Sequence, residues 1–261
     1  MPNNSVYTLY SGSDGNAVYF NLAGHQFLID AGKSARTLCT ALKEVGSDIS
    51  KIEAIFVTHE HSDHTSALEI LEKYNSIPIH IATRSAEKLK SGKNQYLLPN
   101  LVTHPPLFCE RLGCVKISSF ETPHDSRCSV GYRVEFTDSE GDHKIGLATD
   151  MGRVTDSIRR GLTGCDSIII EANHDVEMLL CGPYPEHLKM RILSDHGHLS
   201  NADCAAFAAE LARDGAKRFL LAHLSEENND PSLALSEVRA AIGDESVTVG
   251  VADRHEPTRL I

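Results

Sequence analysis

The segment 58–64 reads T-H-E-H-S-D-H and places three histidines and one aspartate within six residues. It follows the apolar and β-branched run 52–57, which predicts a strand. His59 and His61 are two positions apart, so an extended backbone would direct both imidazoles to the same side. A turn at the following serine and aspartate would bring the remaining donors towards them. Three imidazoles and one carboxylate suit zinc, manganese or iron, and the segment is therefore a candidate metal site.

The pattern H-x-H-x-D-H is the signature of the metallo-β-lactamase superfamily, which the chain resembles here. In that superfamily the further ligands are a distant histidine, a bridging aspartate and a last histidine, each at the end of a later strand. His124, Asp150 and His223 follow predicted strands in this order. The resemblance implies one metal site of His59, His61, His124 and Asp150 and a second of Asp63, His64, Asp150 and His223. The expected cofactors are two divalent metal ions, zinc or manganese with iron as a further option, sharing a hydroxide that attacks the substrate.

Five further stretches resemble the YycJ/WalJ branch of this superfamily, and they span nearly the whole chain. They are SGSDGN at 11–16, EANHDVEML at 171–179, GPYPEHLKMRIL at 182–193, GHLSN at 197–201 and LAHLSEENN at 221–229. Members are regarded as DNA exonucleases or related phosphodiesterases. The resemblance therefore implies a metal-dependent nuclease whose partner is a nucleic acid, expected to be DNA, as substrate. One departure is Ala172, where relatives have serine.

Two histidines outside the metal ligands are candidates for a direct role in the reaction. We expect His198 to donate to a phosphate oxygen or to protonate the leaving alkoxide, with His174 as a substrate contact or a support for the metal ligands. A buried or helix-capping histidine is the alternative for both. Asp63 counts as catalytic as well as metal-binding.

Other polar residues are expected to support the ligands or to contact the substrate. Asp30 ends a predicted strand and would hydrogen-bond the metal-bearing loop. The further candidates for such roles are Ser11, Asn16, Asn173 and Ser200. Lys189 and Arg191 could hold backbone phosphates, with a solvated charged face as the alternative.

The formal net charge of −11 argues against the broad basic surface that is usual in nucleic-acid-binding proteins. Two divalent ions would nevertheless reverse the sign of the charge locally. With two carboxylates and one hydroxide around them, a charge of about +1 remains in the pocket. A local charge of this sign suits an anionic phosphodiester.

The order of predicted elements indicates an α/β fold. Predicted strands span 5–10, 17–21, 26–30, 52–57, 77–81, 115–120, 130–136, 144–149, 168–171, 217–221 and 247–251; predicted helices span 34–46, 85–90, 186–194, 202–213 and 232–241, with one more from 65 or 66 that carries Leu68, Leu71 and Tyr74. Loop and edge structure is expected over 91–113. Strands followed by helices in both halves predict an αββα four-layer sandwich, the metallo-β-lactamase sandwich, as a single domain over residues 1–261.

The composition fits a cytoplasmic protein. The seven cysteines are scattered without a C-x-x-C pair, which indicates reduced thiols. No apolar run approaches the roughly 20 residues that span a bilayer, so no membrane association is expected.

Three other functions are compatible with parts of this pattern. The same ligands permit hydrolysis of a thioester, lactone or lactam, because a hydroxide also attacks carbonyl carbons. A redox di-iron protein of this fold would carry a carboxylate where this chain has His61. A non-catalytic metal-binding module is disfavoured by the intact ligand set.

Overall fold

The first sheet is built mainly by the N-terminal half of the chain. In the computed structural model, which describes residues 4–91 and 99–261, its strands are β1 (Ser5–Tyr10), β2 (Ala17–Leu22), β3 (His25–Ile29), β4 (Ala54–Phe56), β5 (Ile79–Ala82), β6 (Leu101–His104) and β14 (Thr258–Arg259). They are ordered β14-β1-β2-β3-β4-β5-β6. Strands β1 to β3 pair antiparallel through short turns, whereas β3 to β6 are parallel. Parallel neighbours need crossover connections, which here contain helices α1 (Ala35–Glu44), α2 (Ser62–Thr65), α3 (Leu68–Asn75) and α4 (Thr83–Ser91).

The second sheet has the same size and a related design. Its strands are β7 (Cys109–Leu112), β8 (Val115–Thr122), β9 (Ser129–Asp138), β10 (Gly141–Ala148), β11 (Ser167–Glu171), β12 (Arg218–Ala222) and β13 (Thr248–Val251), ordered β13-β12-β11-β10-β9-β8-β7. Strands β7 to β10 form an antiparallel meander, and β10 to β13 are parallel. The helices of this half are α5 (Asp156–Leu162), α6 (Val176–Cys181), α7 (Glu186–Ile192), α8 (Asn201–Arg213) and α9 (Pro231–Ile242).

Three apolar layers hold the sheets and helices together. The central layer lies between the sheets and contains Phe20, Phe27 and Phe56 of the first sheet with Tyr132 and Leu147 of the second. One outer layer packs the first sheet against its helices, and the other packs the second sheet against its helices. The predicted αββα sandwich is therefore confirmed.

Most predicted elements lie where the structure has them, with shifts of one or two residues at their ends. Ser34 caps α1, since its hydroxyl accepts from the Thr37 amide. The predicted strand 52–57 is shorter, Ala54–Phe56, because the 3₁₀ turn Ile49–Lys51 precedes it.

Some predictions were incomplete or wrong. The helix expected from 65 or 66 is divided into α2 and α3, and Tyr74 on α3 is 70% exposed. Helices α5 and α6, of seven and six residues, were not predicted. By contrast, the loop and edge structure expected over 91–113 agrees with the described residues, since β6 and β7 are edge strands of the two sheets; residues 92–98 lie outside the described residues.

The parallel strands of both sheets end at the same edge of the sandwich. Their carboxyl ends lead into Asp30 after β3, Asp150 after β10 and His223 after β12, while segment 58–64 follows β4. Ligand sites in α/β sheets commonly lie at such an edge. Within residues 4–91 and 99–261 we find no helix with the length and apolar character needed to cross a membrane.

Candidate metal centre

Three strand ends turn sharply at the residue that carries the polar side chain. Asp30, Asp150 and His223 have φ angles of 63°, 57° and 58°, in the left-handed region. This conformation costs a residue with a β-carbon on the order of 1 kcal/mol, and it is uncommon outside glycine. The turn ends each strand at the edge of its sheet, next to the residue that carries the polar side chain. Such strain is typical of functional sites.

These strand ends and segment 58–64 bring seven side chains together, which we call the strand-end cluster. Its members are His59, His61, Asp63, His64, His124, Asp150 and His223. Their donor atoms form overlapping groups in which every pair of atoms is within 4.8 Å. The structure therefore brings together all seven residues that the sequence predicted as metal ligands.

The first group consists of His59, His61 and His124. The Nε2 atom of His59 lies 2.9 Å from Nδ1 of His61, and the ring of His124 is 5.0 and 5.1 Å from the rings of His59 and His61. Two nitrogens bound to one tetrahedral zinc ion are about 3.3 Å apart. The three imidazoles are thus arranged to face one cation.

The second group consists of Asp63, His64 and His223. Nε2 of His64 lies 3.3 Å from Oδ2 of Asp63, and Nε2 of His223 lies 3.6 Å from the same oxygen. These separations also match donors that share one cation.

Asp150 lies between the two groups. Its Oδ1 is 3.6 Å from Nε2 of both His124 and His223, while its Oδ2 is 3.3 Å from Nε2 of His64. One carboxylate therefore faces ligands of both groups, which is the position of a bridging ligand.

The cluster contains buried polar atoms whose hydrogen-bonding capacity is unused. Among the described residues, Asp150 Oδ2 and His223 Nε2 have no hydrogen bond of acceptable geometry. Leaving such atoms without a partner is unfavourable in a protein interior. A divalent cation would satisfy them, and the mixed imidazole and carboxylate donors suit zinc, manganese or iron. The residues present fit divalent metal ions.

The charge states also favour a cation. Burial lowers the pKa of His59 and of His124, which keeps both imidazoles in the neutral form that binds metals. Burial alone would raise the pKa of Asp150, but His223 and His64 outweigh it and hold that pKa well below its usual range. Asp63 behaves likewise, since the neighbouring His223 and His64 lower its pKa despite burial. The two anionic carboxylates favour a cation in the cluster. Despite burial, neighbouring carboxylates raise the pKa of His64 and of His223, so these two imidazoles hold protons that a metal ion would displace.

Asp30 fixes the loop that carries four of these ligands. Its carboxylate accepts from the Thr58 amide and hydroxyl, each at 2.8 Å, and contacts His64 Nδ1 at 2.8 Å. With Nδ1 bound to this carboxylate, Nε2 of His64 is left as the ligand atom, and the ring orientation is fixed.

Ser11, Asn16 and Asn173 support the ligands from the other side. The Ser11 hydroxyl accepts from the His223 amide at 2.8 Å, and the Asn16 amide donates to the Asp63 carbonyl at 2.7 Å. The Asn173 side chain donates to the His223 carbonyl at 2.8 Å. The segment 11–16 thus positions ligands through its own hydrogen bonds.

The sequence did not identify Glu171, which is fully buried beneath the cluster. Its Oε1 lies 2.7 Å from Nδ1 of His198 and 3.3 Å from Nδ1 of His223, and its Oε2 accepts from the Met151 amide. Burial opposes ionisation, but the two histidines lower the pKa of Glu171 to about 2. The sequence contained an indication of this role, because Glu171 ends a predicted strand just as Asp30 and Asp150 do.

His198 lies at the cluster and faces an open cleft. Its ring is 5.2 Å from those of both His124 and His223, and its side chain is 22% exposed. The cleft has a volume of about 180 Å³. Its lining comprises Ser13, His124, Asp125, Asn173, Tyr184, Leu188, Arg191, Ile192, Gly197, His198, His223 and Ser225.

Two predicted site residues lie elsewhere. His174 is 1% exposed, does not line the cleft, and has no hydrogen-bond partner for either ring nitrogen among the described residues. The Ser200 hydroxyl caps α8 by accepting from the Asp203 amide at 3.1 Å. Neither side chain is placed to contact a substrate in the cleft, because His174 is enclosed and the Ser200 hydroxyl caps α8. Their alternative role, support of the metal ligands, stays a prediction.

The two basic side chains on α7 that were considered as phosphate contacts, Lys189 and Arg191, differ in burial and in partners. Lys189 is buried and donates to the Leu180 carbonyl at 2.6 Å, so its role is structural. Arg191 is 59% exposed and pairs with Asp125, whose other oxygen is 3.3 Å from Nε2 of His124. Arg191 consequently lies at the mouth of the cleft.

Comparison with known proteins gives relatives over nearly the whole length of the chain. The family model of the Beta-lactamase superfamily domain matches residues 25–224. The exodeoxyribonuclease YycJ of Bacillus anthracis is 32% identical over 97% of this chain and 96% of its own length. The exodeoxyribonuclease WalJ of Streptococcus pneumoniae is 33% identical over 93% of this chain and 90% of its own length. Zn²⁺-bound PqqB from Methylobacterium extorquens has a similar fold, with a TM-score of 0.74, 14% identity and coverage of 97% of this chain and 99% of that one.

Proposed function

Because the chain belongs to the metallo-β-lactamase superfamily, in the branch of the YycJ and WalJ exodeoxyribonucleases, we propose that it is a metal-dependent phosphodiesterase that removes nucleotides from DNA ends. The observation that carries this proposal is the position of Asp150, whose two oxygens face both donor groups. A site with one shared carboxylate suits two divalent ions, for which zinc and manganese are the candidates.

The residues that would hold these ions follow from the two groups. His59, His61, His124 and Asp150 would form one site, and Asp63, His64, Asp150 and His223 the other. When bound, the ions supply an acidified water and neutralise negative charge on a phosphodiester. The protein's own contribution is to fix the ligands, through Asp30 and Glu171, and to shape the cleft.

The cleft offers a cation and an aromatic side chain for the substrate. Arg191 lies at its mouth, where its guanidinium could exchange Asp125 for a backbone phosphate. Tyr184 lines the same cleft, and its ring could stack on a base of the substrate. Such stacking would accept any of the four bases, because every base has a flat aromatic face. A volume of about 180 Å³ suits one nucleotide unit rather than a duplex.

His198 is placed to hold or move a proton. Its Nδ1 is bound to Glu171, so Nε2 is the atom available to a substrate in the cleft. A protonated Nε2 could donate to a phosphate oxygen or to the leaving alkoxide. Glu171 would stabilise the positive charge of the imidazolium during that step.

The test is digestion of DNA labelled at its 5′ or 3′ end, with Mn²⁺ or Zn²⁺ added to metal-depleted protein. We expect mononucleotide products, loss of digestion with Asp150→Asn, and normal digestion with Asp214→Asn, which changes an exposed carboxylate after α8. The same samples are assayed against thioesters, lactones and β-lactams. Cleavage of those carbonyl compounds without any cleavage of DNA would refute the proposal. Metal binding without turnover of any substrate would instead identify a non-catalytic module.

A further inference from the structure

Asp125 and Arg191 form an ion pair at the mouth of the cleft, beside the strand-end cluster. Asp125 directly follows His124 in the chain, and Arg191 lies on α7. Nε and Nη2 of Arg191 each lie 2.5 Å from Oδ2 of Asp125. Among the described residues that line the cleft, these two alone carry a fixed charge. The pair therefore sets the charge of the cleft in front of the cluster.

The two oxygens of Asp125 face different partners. Oδ2 is bound to Arg191, whereas Oδ1 lies 3.3 Å from Nε2 of His124 and 4.0 Å from Nε2 of His61. Nδ1 of His124 lies 3.1 Å from the Gly197 carbonyl oxygen, which leaves Nε2 as the ligand atom of that ring. The carboxylate of Asp125 thus spans the distance between the arginine and the first donor group.

A substrate phosphate would need the same two contacts. Metal ions that cleave a phosphodiester neutralise its non-bridging oxygens, and a guanidinium can accept a further phosphate oxygen as partner. In the protein without DNA, the two carboxylate oxygens of Asp125 take these places, one towards His124 and one on Arg191. The carboxylate therefore stands where a bound phosphate would stand.

The ion pair can open without a change in the fold. The side chain of Arg191 is 59% exposed and that of Asp125 is 29% exposed. Exposed ion pairs contribute little to stability, so a phosphate can replace the carboxylate at small cost. The His198 amide donates to the Ile192 carbonyl at 3.0 Å, which fixes the end of α7 beside the cleft. Exchange of partners therefore requires rotation of side chains and no movement of the helix.

The negative charge of Asp125 opposes two kinds of phosphate unequally. A phosphodiester in DNA carries one negative charge, whereas a phosphate monoester carries close to two near neutral pH. Because Coulomb repulsion is proportional to the charge of the ligand, a monoester is repelled about twice as strongly as a diester. The mononucleotide that an exonuclease releases is such a monoester. Asp125 would accordingly weaken the binding of product more than the binding of substrate.

We propose that Asp125 is a specificity-determining residue, which occupies the phosphate position of the free cleft and favours phosphodiesters over phosphate monoesters. This inference rests on the proposed nuclease function. The substrate displaces the carboxylate from Arg191, and the carboxylate returns to the arginine when the more highly charged product leaves. Asp125 thereby limits inhibition by the released mononucleotide.

The experiment compares Asp125→Asn and Asp125→Ser with the unaltered full-length protein. The first variant removes the charge and keeps the size, and the second also shortens the side chain away from Arg191. Asp195→Asn is the matched control, because Asp195 pairs with Arg153 at 3.3 Å, is 74% exposed and does not line the cleft. Inorganic phosphate, mainly a dianion at pH 8, is titrated into the metal-loaded proteins by calorimetry. Metal content and KM for DNA are measured on the same samples.

We expect both Asp125 variants to bind inorganic phosphate about tenfold more tightly than the unaltered protein and Asp195→Asn, with unchanged metal content. KM for DNA should fall only about threefold, since a monoanionic diester gains half of that free energy. Equal gains for phosphate and for DNA would contradict the selectivity.

Unchanged or weaker phosphate binding in both variants would overturn the proposal and leave Asp125 the role of orienting Arg191. Loss of bound metal from the variants would overturn it as well, because Asp125 would then be a metal ligand. The calorimetric titration requires no cleavage of DNA, so its result is separate from any failure of the nuclease assay.

Discussion

Nδ1 of His198 lies 2.7 Å from Oε1 of Glu171, and the same oxygen lies 3.3 Å from Nδ1 of His223. One buried carboxylate thus orients both a candidate metal ligand and the candidate proton donor. Outer partners of this kind commonly contribute 10- to 100-fold to metal affinity or activity. Glu171 therefore links the metal centre to the proton-transfer step.

Replacing Glu171 by Gln should lower kcat about 10- to 100-fold, because the amide cannot stabilise an imidazolium at His198. The double variant with His198→Ala should lose less than the product of the two single losses, since both changes remove the same support of proton transfer and only the contact to His223 is lost in addition. Turnover of labelled DNA at saturating metal measures this, with the exposed Glu186→Gln as control. Fully additive losses in the double variant would contradict a shared role.

Gly32→Ala should disturb the ligand loop. A β-carbon at Gly32 would lie 1.9 Å from the Asp63 carbonyl oxygen and 2.6 Å from the Asn16 amide nitrogen, and neither backbone atom can move without displacing the loop. We expect a loss of about 1–3 kcal/mol in the free energy of unfolding, together with weaker metal binding. Gly250→Ala is the control, since its β-carbon would make an ordinary contact at 3.4 Å. Denaturant unfolding and metal titration should show a lower free energy of unfolding and a lower metal affinity for Gly32→Ala than for Gly250→Ala. Equal values for the two variants would show that the loop tolerates the extra atom.

Arg191→Ala should raise KM for DNA roughly tenfold and change kcat by less than about twofold, as expected for a phosphate contact outside the reaction. The slope of the logarithm of the DNA-binding constant against the logarithm of salt concentration should decrease in magnitude by about the share of one phosphate contact. Arg213→Ala, an exposed arginine at the end of α8, should leave both unchanged. An unaltered KM with Arg191→Ala would assign this side chain only to its ion pair with Asp125.

The cysteines should differ strongly in reactivity. None of the seven is disulfide-bonded, and Cys109, Cys114 and Cys181 are exposed. Burial raises the pKa of the Cys165 thiol to about 11, so it carries almost no thiolate at pH 8. Iodoacetamide should therefore label the three exposed cysteines first and Cys165 only after unfolding, as peptide mass spectrometry would reveal. Labelling of Cys165 at the rate of Cys109 in the folded protein would contradict this.

The sequence predicted the metal ligands because their chemistry and their positions agree. His59, Asp150 and His223 each follow a largely apolar predicted strand, and neither packing nor solvation gives a simple reason for a histidine or aspartate there. The αββα architecture could be predicted for the same reason, since long apolar strands alternate with amphipathic helices.

What the sequence did not reveal depends on contacts between distant segments. Glu171 resembles any carboxylate at a strand end, and only the fold shows that it lies beneath His198 and His223. Ser200 stands in a stretch resembling relatives, yet its hydroxyl caps α8, a local role that the following helix alone could have indicated. The burial of His174 depends on packing between segments that are far apart in sequence.

The left-handed backbone at Asp30, Asp150 and His223 also limits which substitutions these positions can accept during evolution. Glycine would relieve the backbone strain at each position while removing a carboxylate or an imidazole. At Asp150 and His223, relief of backbone strain and retention of a metal ligand therefore oppose each other, whereas at Asp30 glycine would also remove the hydrogen bonds to Thr58 and His64. Engineers seeking a thermostable version should therefore leave these three positions untouched and look for gains in the outer helices.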